Sequence, residues 1–273
     1  MTALNDFIAA NEPLLRLGCF AGMLAAMMGA EALWPKRPGA DRGHRWPRNA
    51  ALVLLDTLAV RAVAWALPAF LPVAAAALAA DRGWGLFPAL GVDGWAAFLL
   101  TLVLFDLAIY AQHVAVHYIP VLWRLHRVHH TDLAFDTTTG VRFHPLEILL
   151  SIAIKVGLVL MLGAPAAAVV VFEVVLNATS LFNHANLALP GWLDAALRRV
   201  LVTPDMHRVH HSVHRDETDS NFGFNLSVWD RLFGTYRAQP RDGHDAMALG
   251  VGGFRDPARL GLGGLLVQPF RKP

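Results

Sequence analysis

His113 and His117 stand four residues apart, and His126, His129 and His130 follow as His-Arg-Val-His-His. The same string returns at His207, His210 and His211. Nine of the chain's 13 histidines fall in the two windows 113–130 and 207–214. On a helix, residues three or four apart lie on one face. Each string therefore presents a row of imidazoles, and a repeated row is what a site for two metal ions would use. Eight imidazoles exceed one zinc ion, which takes four protein ligands in a structural site and about three in a catalytic one. Imidazole accepts zinc, copper, iron and nickel alike, so the ligand type leaves the metal open. There is no His-Glu-x-x-His string, which would bring a carboxylate base beside zinc ligands. The Glu and Glu-x-x-His pattern of soluble di-iron bundles is not the pattern here either. The single cysteine, Cys19, excludes both an intrachain disulfide framework and a thiolate zinc site.

The elements that must position these residues are apolar. Hydrophobic residues make up 55% of the chain and charged residues only 16%, well below the ~25% charged of soluble domains. The excess lies in long runs, the mark of a membrane protein. A first span is expected over 13–34 and a second apolar stretch over 50–80, with a kink at Pro68 or Pro72. A third covers 92–112, ending where the histidines begin. The stretch 146–182 is expected to be a hairpin of two spans turning at Leu162-Gly163-Ala164-Pro165. Lys155 and Glu173, one in each arm, are candidates to pair with one another. Arg61 needs a polar partner or a route to the interface. Pro120 and Thr203-Pro204 read as starts of short helices carrying the two His-Arg-Val-His-His strings.

The segment 35–48 holds Lys36, Arg37, Arg42, Arg45 and Arg48 against one acid, Asp41. By the positive-inside rule it lies in the cytoplasm. Counting crossings puts 113–145 and everything after 183 on that same side. No basic n-region precedes the first apolar run, so that run is expected to stay in the mature protein. The fold expected is all-α: a polytopic bundle of about four spanning helices or hairpins under a cytosolic helical cap. It forms one domain, 1–273, with its histidine core at about 92–237. His44 and His244 read as ordinary loop histidines.

Several strings together resemble the fatty acid hydroxylase/sterol desaturase superfamily. They are Asp106-Leu-Ala-Ile-Tyr-Ala-Gln-His113, WRLHRVHH at 123–130, RFHPLE at 142–147, FNHANLALP at 182–190, TPDMHRVHH at 203–211 and SNFGFNLSVWDRLFGTY at 220–236. The resemblance covers roughly the second half of the chain, in matching order and spacing. It implies a non-haem di-iron centre, O2 as co-substrate, and hydroxylation or desaturation of a C–H bond in a membrane lipid. The implied ligands are His113, His117, His126, His129, His130, His207, His210 and His211. Family members often carry a further histidine pair after the hairpin. Here His184 alone fits, with Asn186 and Ala188 following, so water or an asparagine is a candidate for the remaining position. Asp106, inside a span, is expected to orient a ligand histidine through its second nitrogen, and Asp205 is a candidate for the same role. His144 is a candidate second neighbour of the centre or a lining of the substrate entrance. Asn221, Trp229, Phe233 and Tyr236 read as packing that closes the cap.

An external donor must then supply the electrons, because no Gly-x-Gly-x-x-Gly string is present. A ferredoxin or cytochrome is expected, drawn to a basic face, or a pterin as in the branch that cleaves ether lipids. No nucleic-acid partner is expected. The expected location is a bacterial inner or plasma membrane, or the ER membrane of a eukaryote, with the site on the cytoplasmic side. Two other classes compete. A zinc-dependent membrane hydrolase would need fewer histidines and a nearby carboxylate base. A metal transporter would set its ligands near mid-membrane, whereas these gather at span ends. The lipid itself, whether sterol, fatty acyl, sphingolipid, carotenoid or ether lipid, is left open by cavity walls of ordinary Ala, Leu and Val.

Overall fold

The computed structural model describes residues 2–39 and 41–272. Five helices are long and apolar enough to cross a bilayer. They are α1 (Thr2–Leu33), α2 (Arg42–Ala66), α5 (Gly94–Tyr118), α7 (Pro145–Leu162) and α8 (Ala166–Asn183). Two shorter helices, α3 (Pro72–Arg82) and α4 (Leu86–Leu90), come between α2 and α5 in the chain and pack on α7. Among the described residues there are no strands, only three isolated bridges. The chain is an all-helical, multi-pass membrane protein.

Prolines set the breaks. Leu67 and Leu71 each precede a proline and are out of the helical region, as the ring demands of the residue before it. The apolar stretch 50–80 is therefore not one span with a kink. It is cut at Pro68 and Pro72, so α2 ends and α3 begins as a separate helix against α7 and α8. The basic segment differs from its reading as a loop as well, since α2 starts at Arg42. Arg45 is buried, bidentate on Asp132 at 2.6 and 2.7 Å and 2.6 Å from Asp136. Arg61 is exposed on α2.

The hairpin is as expected. His144 and Pro145 open α7 and Gly163, with φ of 68°, closes it. Gly163 also admits Gly85: a Cβ on Gly85 would stand 2.1 Å from the Gly163 nitrogen. Lys155 and Glu173 do pair, Nζ to Oε1 at 2.5 Å. Between these helices the core is built from Phe105 and Ile109 of α5, Val159 and Leu162 of α7, and Val169 and Phe172 of α8. Phe105 and Phe172 meet edge to face at 5.3 Å. α1 lies along α8, with its apolar surface turned outward.

The third span does not stop at the histidines. Helix α5 continues through His117 to Tyr118, and Ile119, extended before Pro120, ends it and starts α6 (Pro120–His130). Beyond α8 come α9 (Gly191–Leu197) and α10 (Pro204–His210), the latter capped by the Thr203 hydroxyl as its sequence suggests. With α6 and the segment 211–236 they form a cap over one end of the bundle.

Candidate metal centre

Nine imidazoles converge where α5, α6, α8 and α10 meet, and all nine are buried. They divide into two groups. His113, His117, His126, His130 and His210 form one, and His129, His184, His207 and His211 the other. Within each group one nitrogen per ring lies within 4.8 Å of every other. Neither His-Arg-Val-His-His string stays together. The first gives His126 and His130 to the five-membered group and His129 to the four-membered one. The second gives His210 to the five and His207 and His211 to the four.

Six rings have their orientation fixed through Nδ1. His113 donates to Phe222 O (2.8 Å), His129 to Arg142 O (3.2 Å), His184 to Ser180 O (2.8 Å) and His210 to Ser220 O (2.7 Å). Two meet carboxylates: His126 with Glu147 Oε1 at 2.5 Å and His117 with Asp219 Oδ1 at 3.2 Å. A proton held at Nδ1 leaves Nε2 as a bare donor pair for a metal. Such outer partners fix the tautomer and raise ligand basicity. The approach to Ser180 depends on Gly140, where a Cβ would stand 2.6 Å from Ser180 O.

The donor set fits metal ions. His184 and His129 both spend Nδ1–H on carbonyls, yet their Nε2 atoms face each other at 3.1 Å. Two lone pairs in that position repel unless a cation lies between them. Nitrogens bound at right angles to one ion, each about 2.1 Å from it, stand about 3 Å apart. His207–His184 at 3.0 Å and His130–His126 at 3.2 Å match that spacing. Nε2 of His113, His117, His210 and His211 has no hydrogen-bond partner among the described residues. Burial pushes the imidazoles of His129, His130, His207 and His211 well below the usual value, His184 to about 4 and His210 to about 3. The rings are thus held neutral, the form that binds metal.

Aromatic rings close the site. Phe143 lies parallel on His129 at 4.6 Å, Phe135 covers His184 and His211, and Phe222 packs on His113, His117 and His210. Phe224 touches His113 and His207 at 6.2 and 6.4 Å and also packs against the membrane core.

Other expected residues stand elsewhere. Asp106 does not orient a histidine: its Oδ2 accepts from Trp229 Nε1 at 2.8 Å and Leu226 N at 3.3 Å, clamping the cap to α5. A carboxylate two turns before His113 lies too far along the helix to reach that ring. Asp205 pairs with Arg208 and with Lys36 (3.0 Å). His144 caps α7, accepting from Leu146 N and donating to Leu266 O at 3.1 Å, so it faces the C-terminal segment rather than the histidines. Asn186 binds the backbone of Arg37 on both sides of its amide and has no place in either group. His244 is mostly buried beside Asp205, not an ordinary loop residue. Asn221 joins Met206 O to Arg237, and Trp229 reaches Asp106, so these cap residues do close it.

Three functional neighbours escaped the sequence reading. Glu147 lay inside the quoted string RFHPLE, and an acid opening an apolar span was its signal. Asp219 had none beyond proximity to the second string. Glu31 sits at the end of α1, where one oxygen accepts from Thr137 N, Thr137 Oγ1 and Asn186 N at 2.7 to 2.8 Å.

Fold and site together define a class: a polytopic membrane protein with a buried polyhistidine centre of two adjacent groups. The profile of the fatty acid hydroxylase family matches residues 98–235, half of the chain. The chain belongs to that family. It is 31% identical over 175 residues to an ornithine lipid hydroxylase of Rhizobium tropici, covering 64% of this chain and 50% of that one. It is 28% identical over 141 residues to the alkylglycerol monooxygenase of Homo sapiens, covering 49% and 29%. Against the cholesterol 25-hydroxylase of Rattus norvegicus it is 28% identical over 152 residues, covering 52% and 47%. The chain spans half or less of the length of these relatives. No solved structure matches it.

Proposed function

We propose that the chain is an O2-dependent, non-haem di-iron oxidoreductase that hydroxylates a C–H bond of a membrane lipid. The observation that carries this is the pairing of five and four buried imidazoles at one end of a membrane bundle. His113, His117, His126, His130 and His210 would hold one iron, and His129, His184, His207 and His211 the other. Iron bound there supplies the O2 activation and hydrogen abstraction that side chains lack. The relatives above are named hydroxylases or monooxygenases, which favours hydroxylation over desaturation, and all are named for lipids.

The chain's own residues do the positioning. Glu147, Asp219 and four carbonyls keep Nδ1 protonated and Nε2 free. The Phe135, Phe143 and Phe222 rings exclude water. Phe224, between the histidines and the membrane core, sets the side from which a lipid chain approaches. An external ferredoxin, cytochrome or pterin supplies the electrons. The basic residues around 35–48 favour the cytoplasm for this face.

The test is metal content per chain in protein purified in detergent from iron-supplemented cells, with His210→Ala beside it. The expected result is close to two irons per chain, with loss of metal and activity in the variant. One zinc, or no metal in a folded protein, overturns the reading.

A further inference from the structure

The far half of the bundle holds a second polar feature. Between α1, α3, α7 and α8 lies an open-sided cavity of about 560 Å³. One wall is apolar, from Leu71, Val73 and Ala74 at the start of α3 and Ile152 of α7. The other is charged, from Glu12, Arg16, Lys155 and Glu173. Glu173 precedes His184 by eleven residues, about 16 Å along the helix, so this site is separate from the metal centre.

The four charges are ordered. Both Glu173 oxygens are taken, one by Lys155 Nζ at 2.5 Å and the other by Arg16 Nη2 at 2.6 Å. Arg16 Nε reaches Glu12 Oε1 at 2.8 Å. Lys155 has three N–H donors and Arg16 five, so both cations keep donors beyond these contacts, and Glu12 keeps an oxygen. A cluster that served only to clip α1 to the hairpin would close around its ion pairs, because charges in the bilayer are costly to leave half-solvated. Here the ion pairs border open space of the size that small-molecule sites occupy, about 300–1,000 Å³.

The mixed signs and the apolar wall say what fits. We propose that the cavity binds one zwitterionic bilayer lipid from the leaflet opposite the metal centre. Its acidic group lies on Arg16 and Lys155, its ammonium against Glu12, and the start of its chain along Leu71, Val73 and Ala74. The bound lipid joins α1, which otherwise packs mainly on α8, to α3 and α7. The net charge of the four side chains is zero, which matches a zwitterion and leaves an anionic head uncompensated.

Native mass spectrometry of the detergent-purified chain tests this, with phosphatidylethanolamine, phosphatidylglycerol and diacylglycerol added in turn. One phosphatidylethanolamine adduct should survive, at least about tenfold more abundant than the others. Lys155→Met should reduce it about tenfold. Ala74→Phe, which puts a ring where the lipid chain would start and leaves every charge in place, should do the same. Equal retention of all three lipids, preference for phosphatidylglycerol, or an adduct that survives Ala74→Phe would overturn the proposal. Iron per chain, read on the same samples, reports the metal centre independently.

Discussion

At the scale of single residues, the centre is a problem of proton placement. Nine buried rings crowd one volume, and for six of them a group outside the cluster pairs with Nδ1 so that Nε2 is left to face inward. Carbonyls do this for four rings, but Glu147 and Asp219 bring charge as well. Glu147→Gln keeps an acceptor for His126 Nδ1 and removes the charge. Loss of such an outer partner typically costs 10–100-fold in metal affinity. Iron affinity should fall by about tenfold in the five-membered group, measured by chelator competition, and an unchanged titration would show that the charge is idle. A second expectation concerns the metal-free protein. Burial is the main cause that holds His184 near 4 and His210 near 3, against about 6.5 unfolded. Above pH 6.5 neither state takes up these protons, so the stability is intact. As pH falls toward 4 the unfolded chain binds protons that the folded chain refuses, and stability is lost. The thermal midpoint of chelated protein should drop across that window. A flat profile would mean that the folded rings take up protons as readily as the unfolded ones.

Among the elements, short polar pieces hold the long apolar ones in register with the site. Asp106 reaches from α5 into the cap and takes Trp229 and Leu226 together. Its removal leaves two half-buried donors without their partner, at up to about 1 kcal/mol each. Asp106→Ala should therefore lower the thermal midpoint and expose 220–236 to protease, while the nine imidazoles remain in place. Protease resistance equal to the parent would show that the cap docks without it. Glu31 does the corresponding work at the other side, tying α1 to 137 and 186. The sequence announced the helices well, because long apolar runs and prolines at their starts act locally. It announced these clamps poorly. Asp106 looked like a partner for His113 because both lie on one helix face, but the partner that takes its oxygen is more than a hundred residues away in the chain. Glu147 stood in plain view, yet only the folding of α6 against α7 brings it to His126.

For the whole molecule, five helices long enough to span put the histidine end and the α4 end at opposite ends of the bundle, and so on opposite sides of a bilayer if all five cross it. In a Cys19→Ser background, cysteines at Asp81 and Arg259 should react with impermeant thiol reagents from opposite faces, Arg259 from the cytoplasm. Labelling of both from one side would remove the five-span arrangement. That arrangement also explains why the charge pattern was only a partial guide. Arg45, counted among the basic residues of a loop, is buried on Asp132 and Asp136 and belongs to the architecture of the cap.

What the sequence determined by itself is the inventory and its placement: nine imidazoles, at helix ends, beside apolar spans, in strings similar to one family. Side-chain type and helical spacing are local properties, so they can be read from the chain. Which imidazole joins which group was decided by tertiary structure. On a helix, residues four apart are rotated by about 40° and neighbours by about 100°. His126 and His130 therefore point one way while His129 points aside, and His207 and His211 share a direction that His210 does not. A single helix shows only that these directions differ. The packing of α6 and α10 against α5 and α8 turns that difference into two adjacent imidazole groups, with His184, a lone histidine at the end of α8, completing the second.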